Sequence, residues 1–155
     1  MHLKDFISEE GIIFTTTVSS KKSALEILSE TITDQDTSLN KKKILDALLA
    51  REKLGSTGLG KGIAIPHCRL EELSNIHVAM LKLDEGIEFE STDDIPVTFL
   101  FCMIVPDNAD NNHLQLVASL AELLNNKHVR QSIARCNDAK CIYQILCQNP
   151  NNLAA

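Results

Sequence analysis

The sequence predicts an α/β fold, a single domain with a mixed β-sheet covered by helices on both faces, and three observations carry that prediction. Residues 76–83 and 97–105 are apolar at nearly every position, the pattern of strands buried on both sides. Elsewhere the apolar residues recur at helical spacing, with Leu25, Leu28 and Ile32 in one segment and Ile44, Leu45, Leu48 and Leu49 in the next. Strands interleaved with helices form layers around a sheet. Finally, the 155 residues contain no internal repeat and no low-complexity linker. One domain over 1–155, with its core over about 3–148, is therefore expected.

The elements follow in order. Residues 12–18, short and β-branched, predict an edge strand after a brief N-terminal turn. Ser19 or Ser20 can cap the first helix, which buries Leu25, Leu28 and Ile32. Residues 33–40 are a polar connector, and Ser38 or Asn40 can cap the second helix. That helix ends near residues 51–54, with Gly55 as its breaker. A short strand is expected at 63–65. Between the two long strands, residues 84–94 are acidic, with a turn at Glu85-Gly86 and a further short strand at 87–89. Residues 106–110 (Pro-Asp-Asn-Ala-Asp) form a turn and capping cluster. The helix that follows buries Leu116, Val117, Leu120 and Leu124, and carries His113 on the same stripe in its first turn. Residues 127–135 and 138–147 predict two short helices joined at Asn137, and 149–155 a frayed tail.

Composition excludes several function classes. The net charge of −6, with one tyrosine and no tryptophan, argues against nucleic acid or an anionic membrane as a partner. The charge is uneven: residues 40–70 carry seven Lys/Arg against Asp46 and Glu52, whereas 71–110 carry ten Asp/Glu against Lys82. The five cysteines, Cys68, Cys102, Cys136, Cys141 and Cys147, are odd in number and lack a C-x-x-C pair. They are expected to be reduced thiols, with Cys102 and Cys141 packed in the core and no metal bound. No signal peptide is visible, and the apolar run 97–105 falls far short of the ~20 residues of a membrane helix. A soluble, cytoplasmic protein without direct membrane insertion is expected.

The chemistry concentrates in residues 51–70, which hold four of the six glycines. Gly55, Gly58, Gly60 and Gly62 sit in a locally basic stretch, and such a loop can bring backbone N–H groups close to an anion. Residues 55–61 match the opening of a nucleotide-phosphate loop, G-x-x-x-x-G-K, but Gly62 replaces the hydroxyl residue that holds Mg²⁺. A strand-like run also stands where that motif needs a helix, so ATP or GTP is not the expected ligand. His67 follows Pro66, which restrains its entry, and an imidazole presented in this way suits a nucleophile. Arg51, in the last turn of the second helix, can reach back over the loop and can equally complement the helix C-terminus. His113 lies at a helix N-terminus, where backbone N–H groups favour anions.

The run R-E-x-L-G-S-T-G-x-G-x-G-I-A-I-P-H over 51–67 resembles the phosphorylation-site signature of the fructose/mannitol-type (type 2) enzyme IIA domains of the bacterial phosphoenolpyruvate-dependent phosphotransferase system, most of all the nitrogen-regulatory members. Residues 19–26 resemble the opening of that family's first main helix. Residues 99–106, followed by His113-Leu114, resemble the strand and helix that bring up its second active-site histidine. One departure is Cys68, where the family usually has glycine.

The resemblance implies the type-2 IIA fold and a phosphocarrier. His67 would accept a phosphoryl group from a histidine phosphocarrier protein of the HPr kind. Arg51 would clamp its oxygens, His113 would be a second donor, and N–H groups at Gly58, Gly60 and Gly62 would complete the cradle. No cofactor, ATP or metal is implied. Beyond the carrier, the implied partner is a downstream regulatory target; if the chain is instead the free-standing IIA component of a sugar transporter, it is a permease domain. Two readings of other classes are a binding module that performs no chemistry and a metal or nucleotide hydrolase using His67, Cys68 and His113. The hydrolase is undercut by the missing carboxylates and the failed nucleotide motif.

Overall fold

The computed structural model describes residues 2–15, 18–71, 73–108 and 110–148. A six-stranded mixed sheet runs in the order β1-β5-β6-β3-β2, and β4 also pairs with β6. The strands are β1 (Ile12–Thr15), β2 (Gly58–Gly60), β3 (Ile63–Ala64), β4 (His67–Leu70), β5 (His77–Ile87) and β6 (Val97–Pro106). Helices α1 (Lys21–Gln35) and α2 (Lys41–Lys53) precede the glycine-rich stretch, and α3 (Asn111–Leu124), α4 (Lys127–Arg135) and α5 (Ala139–Gln148) follow β6.

The period-2 geometry of β6 divides its apolar residues between two cores. Phe99, Phe101, Met103 and Val105 pack with Leu116, Leu120 and Leu124 of α3, with Val129 and Ile133 of α4, and with Ile142 and Leu146 of α5. Leu100, Cys102 and Ile104 face the other way, onto Ala24, Leu25, Leu28 and Ile32 of α1 and Ile44 and Leu48 of α2. The helices therefore cover both faces, as the doubly apolar strands predict.

The helix caps are also those expected of the residue types. The Ser20 hydroxyl accepts from Ser23 N at 3.1 Å and Asn40 Oδ1 from Lys43 N at 3.0 Å, contacts typically worth about 1 kcal/mol each. Strand β1 lies at the sheet edge and pairs in parallel with β5. Thr16 and Thr17 of the expected strand, Ala109 of the expected turn and the expected tail at 149–155 lie outside the described residues.

Four expectations need correction. Helix α1 continues to Gln35 rather than yielding to a connector at 33; Ser29, Thr31 and Thr33 satisfy their hydroxyls inside the helix by donating to the carbonyl four residues earlier, at 2.8 Å, so their polarity does not end it. Residues 84–87 do not turn. Strand β5 runs through Gly86 to Ile87 with a register shift against β6, and a Cβ at Gly86 would lie 2.6 Å from Pro96 Cβ. That glycine serves close packing, and Phe89 beyond it is a buried loop residue rather than part of a separate strand. Strand β4 was not expected; it continues the line of β3 along β6 in unchanged register, with Ile65 and Pro66 between them. Lastly, Cys136 and Cys141 are a disulfide, not free thiols: the end of α4 and the start of α5 bring their Cα atoms to 5.5 Å, within bridging range. Cys68, Cys102 and Cys147 are not in a disulfide.

Candidate functional site

The line β3, Ile65, Pro66, β4 presents alternate residues to opposite faces of the sheet. Ile63 and Ile65 belong to the core under α3, whereas Ala64 and Cys68 belong to the core under α1 and α2. His67 accordingly emerges half-buried on the α3 side, at the first position of β4. There it lines a cleft of about 360 Å³. One wall is Arg51, Ser56, Thr57, Gly58 and Leu59; the opposite wall is Leu114, Val117, Ala118 and Ala121 of α3. Leu59 and Leu114 are exposed at its rim.

The geometry at His67 selects its tautomer. Nδ1 lies 2.7 Å from the Ile65 carbonyl oxygen, which can only accept, so Nδ1 carries the proton and donates it. In the neutral ring Nε2 is then the nitrogen with the lone pair, the form a nucleophile requires. Arg51 spends one Nη1 donor on the Gly55 carbonyl at 2.8 Å. It thereby closes the end of α2, and the same residue lines the cleft.

The glycines divide in their roles. Gly58 lines the cleft, and its N–H donates to Ser56 Oγ at 3.0 Å. A Cβ there would stand 2.2 Å from Ser91 Oγ, so only glycine fits without a shift. Gly60 and Gly62, with Lys61 between them at positive φ, make the tight turn from β2 to β3 and are not part of the cleft lining. Lys61 N donates to Asp93 Oδ2 at 2.6 Å. That bond, with a second from Ile95 N, holds the Asp93 carboxyl below its ordinary range.

His113 lies in the first turn of α3, adjacent to Leu114, but is itself outside the cleft lining. Its Nδ1 is 3.2 Å from both the N–H and the Oδ1 of Asp110, while its own N–H donates to Asp110 Oδ1 at 3.3 Å. This reciprocal arrangement resembles a capping box. Thus the structure gathers Arg51, Gly58 and His67 in one cleft, and leaves Gly60, Gly62 and His113 at its margins.

Cys68, on the opposite face, is buried and desolvation pushes its thiol up to about 12. It packs against α1 and α2 as a protonated apolar residue, so the side chain following His67 is turned away from the cleft.

Sequence reasoning missed Glu52 and Thr57. Glu52 is buried beneath the loop, accepting from Thr57 N at 3.2 Å and from the Thr57 hydroxyl, with Lys21 Nζ 2.8 Å from its Oε2. A signal existed: Ile44, Leu48 and Glu52 fall on one inward stripe of α2, and a carboxylate on such a stripe needs partners.

Fold and cleft together define a small α/β protein that presents one histidine of fixed tautomer beside an arginine and a glycine-rich loop. The chain belongs to the EIIA 2 family of the phosphoenolpyruvate-dependent sugar phosphotransferase system, whose family model matches residues 5–149. Its role lies in that phosphotransfer system. It is 36% identical over 154 residues to a nitrogen regulatory protein of Bradyrhizobium diazoefficiens, covering 99% of this chain and 100% of that one. A fructose-specific EIIA component of Haloferax volcanii is 32% identical over 130 residues, 84% of each chain. Among solved structures, the nitrogen regulatory protein IIA-Ntr of Neisseria meningitidis superposes with a TM-score of 0.86 at 32% identity, covering 92% of this chain and 97% of that chain. No described helix is long and apolar enough to cross a membrane.

Proposed function

We propose that this chain is a cytoplasmic phosphocarrier of the nitrogen-regulatory branch, folded as one domain over about 3–148, in which His67 Nε2 accepts a phosphoryl group. The observation that carries the reading is the 2.7 Å bond from Nδ1 to Ile65 O, which leaves Nε2 as the nucleophile. The donor is a phosphohistidine on an HPr-like carrier protein. Its N–P bond breaks as the Nε2–P bond forms, the donor ring recovers its lone pair, and the proton of His67 stays on Nδ1, hydrogen-bonded to the Ile65 carbonyl, throughout. Transfer of this kind is positioning and charge stabilisation. Arg51 supplies the bidentate donors for the equatorial oxygens and His113 acts from the start of α3, whereas the Thr57 and Gly58 N–H groups are engaged with Glu52 and Ser56 and do not form the cradle. Because the donor's N–P bond carries the driving force, the reaction calls for neither ATP nor a metal.

Regulation follows from the charge change, because phosphorylation adds about −1.5 to −2 charges at a rim that also carries Leu59 and Leu114 and so alters what binds there. The relative named as a fructose-specific component supports a second reading, onward transfer to a sugar permease domain. Intact-mass measurement with a phosphorylated carrier tests the core claim. The wild type gains one acid-labile phosphoryl group and His67→Ala gains none; an unshifted wild type, or a shifted variant, defeats it. A cytosolic pull-down with phosphorylated and unphosphorylated protein separates the branches, since recovery of a permease domain alone, with onward transfer, selects sugar uptake.

A further inference from the structure

We propose that Glu52 is a positioning residue that sets the tautomer of His67 from outside the cleft, an inference that rests on His67 as the phosphoryl acceptor. Glu52 is not among the cleft-lining residues, and its side chain is only 5% exposed. A carboxylate so placed must have every oxygen answered. Here Oε2 receives Lys21 Nζ at 2.8 Å and Thr57 N at 3.2 Å, and Oε1 receives the Thr57 hydroxyl. Lys21 is held in turn, 4.5 Å above the Phe89 ring and 3.6 Å from Glu90.

The consequence passes through Thr57. Both of its donors are taken by Glu52, which fixes its side chain and the peptide that precedes it, and its carbonyl, in the following peptide, accepts Ile65 N at 3.0 Å. Ile65 is thereby placed with its own carbonyl 2.7 Å from His67 Nδ1. An imidazole without that carbonyl exchanges its proton between two nitrogens, and the tautomer with hydrogen on Nε2 has no lone pair to attack phosphorus. The start of α1, the buried carboxylate and the loop therefore act on the ring through a continuous series of bonds, none of which touches the phosphoryl group.

Glutamine at 52 loses the charge paired with Lys21 and puts an NH₂ group where Oε1 accepts, so the Thr57 hydroxyl must reverse to accept and the bonds to Thr57 lose their charge assistance. The test uses the full chain with two readouts: two-bond ¹H–¹⁵N spectra of the His67 ring, and the initial rate and apparent KM of phosphorylation by a phosphorylated HPr-like carrier. Wild type is expected to show the Nδ1–H tautomer. Glu52→Gln should shift the ring toward the tautomer mixture and slow the rate on the order of tenfold with an unchanged KM. Thr57→Val should do the same, Thr57→Ser should retain wild-type behaviour, and the Thr57 pair decides the matter where Glu52→Gln does not fold. A wild-type tautomer and rate in folded Glu52→Gln, or in Thr57→Val, overturns the inference. A wild type that accepts no phosphoryl group defeats the proposed function instead, and the ring spectra still decide whether Glu52 controls the tautomer.

Discussion

The two walls of the cleft are built by different physics. The loop wall, from Arg51 to Leu59, is held by directional bonds: Arg51 to Gly55 O, Glu52 to Thr57 twice, Ser56 Oγ to Phe89 O at 2.6 Å, and Ile65 N to Thr57 O. The α3 wall is apolar, Leu114, Val117, Ala118 and Ala121, and is held from behind by Leu116, Leu120 and Leu124 in the core. Directional bonds place an atom to within tenths of an ångström, as a ring nitrogen and an arginine fork require. Apolar packing holds a helix without demanding any one orientation of its outer face. On the function proposed above, the difference assigns the chemistry to the loop wall and the contact surface to the helix wall.

That contrast can be broken at graded cost. Arg51→Ala removes a charge-assisted contact worth roughly 1.5–3 kcal/mol. It should slow phosphoryl transfer about 10- to 150-fold if the contact is made fully in the transition state, with far-UV circular dichroism unchanged. A rate within twofold of wild type would remove Arg51 from the machinery.

Gly58→Ala forces a Cβ to within 2.2 Å of Ser91 Oγ, whose buried hydroxyl has no hydrogen-bond partner among the described residues. Overpacking of this kind costs about 1–3 kcal/mol. Urea melts should show the loss, and the double variant with Ser91→Gly should recover most of it. No recovery would mean that the loop wall is limited by something other than this contact.

The smallest effect is expected on the helix side. His113 is engaged with Asp110 at the cap of α3, so His113→Ala should slow transfer only about 2- to 12-fold, the equivalent of one neutral hydrogen bond of about 0.5–1.5 kcal/mol. Matched stopped-flow rates for Arg51→Ala and His113→Ala test the ranking, and an equal or larger loss for His113 would place catalytic donors on both walls.

Local sequence determined those features that depend on a residue and its near neighbours. Ser20 and Asn40 cap because their side-chain oxygens reach the N–H three residues on. Helix α2 stops where Leu54 precedes a glycine of positive φ. Strand β6 reads as doubly buried because every position along it is apolar but Thr98. The signature stretch, through the family resemblance it carries, pointed to His67 and Arg51, and both line the one cleft. Tertiary structure decided what depends on partners distant in the chain. The short segment 67–70, with one residue of each polarity in turn, becomes β4 only because the edge of β6 is there to pair with it. Glu52 finds Lys21 across 31 positions of chain, Cys136 meets Cys141 across a helix break, and Gly86 leaves the space into which Pro96 packs. Periodicity reports which face of an element is buried, but not which atom of another element will be waiting there, and the proton on His67 Nδ1 is set by such an atom, the Ile65 carbonyl, at the end of a series of bonds that starts on α1.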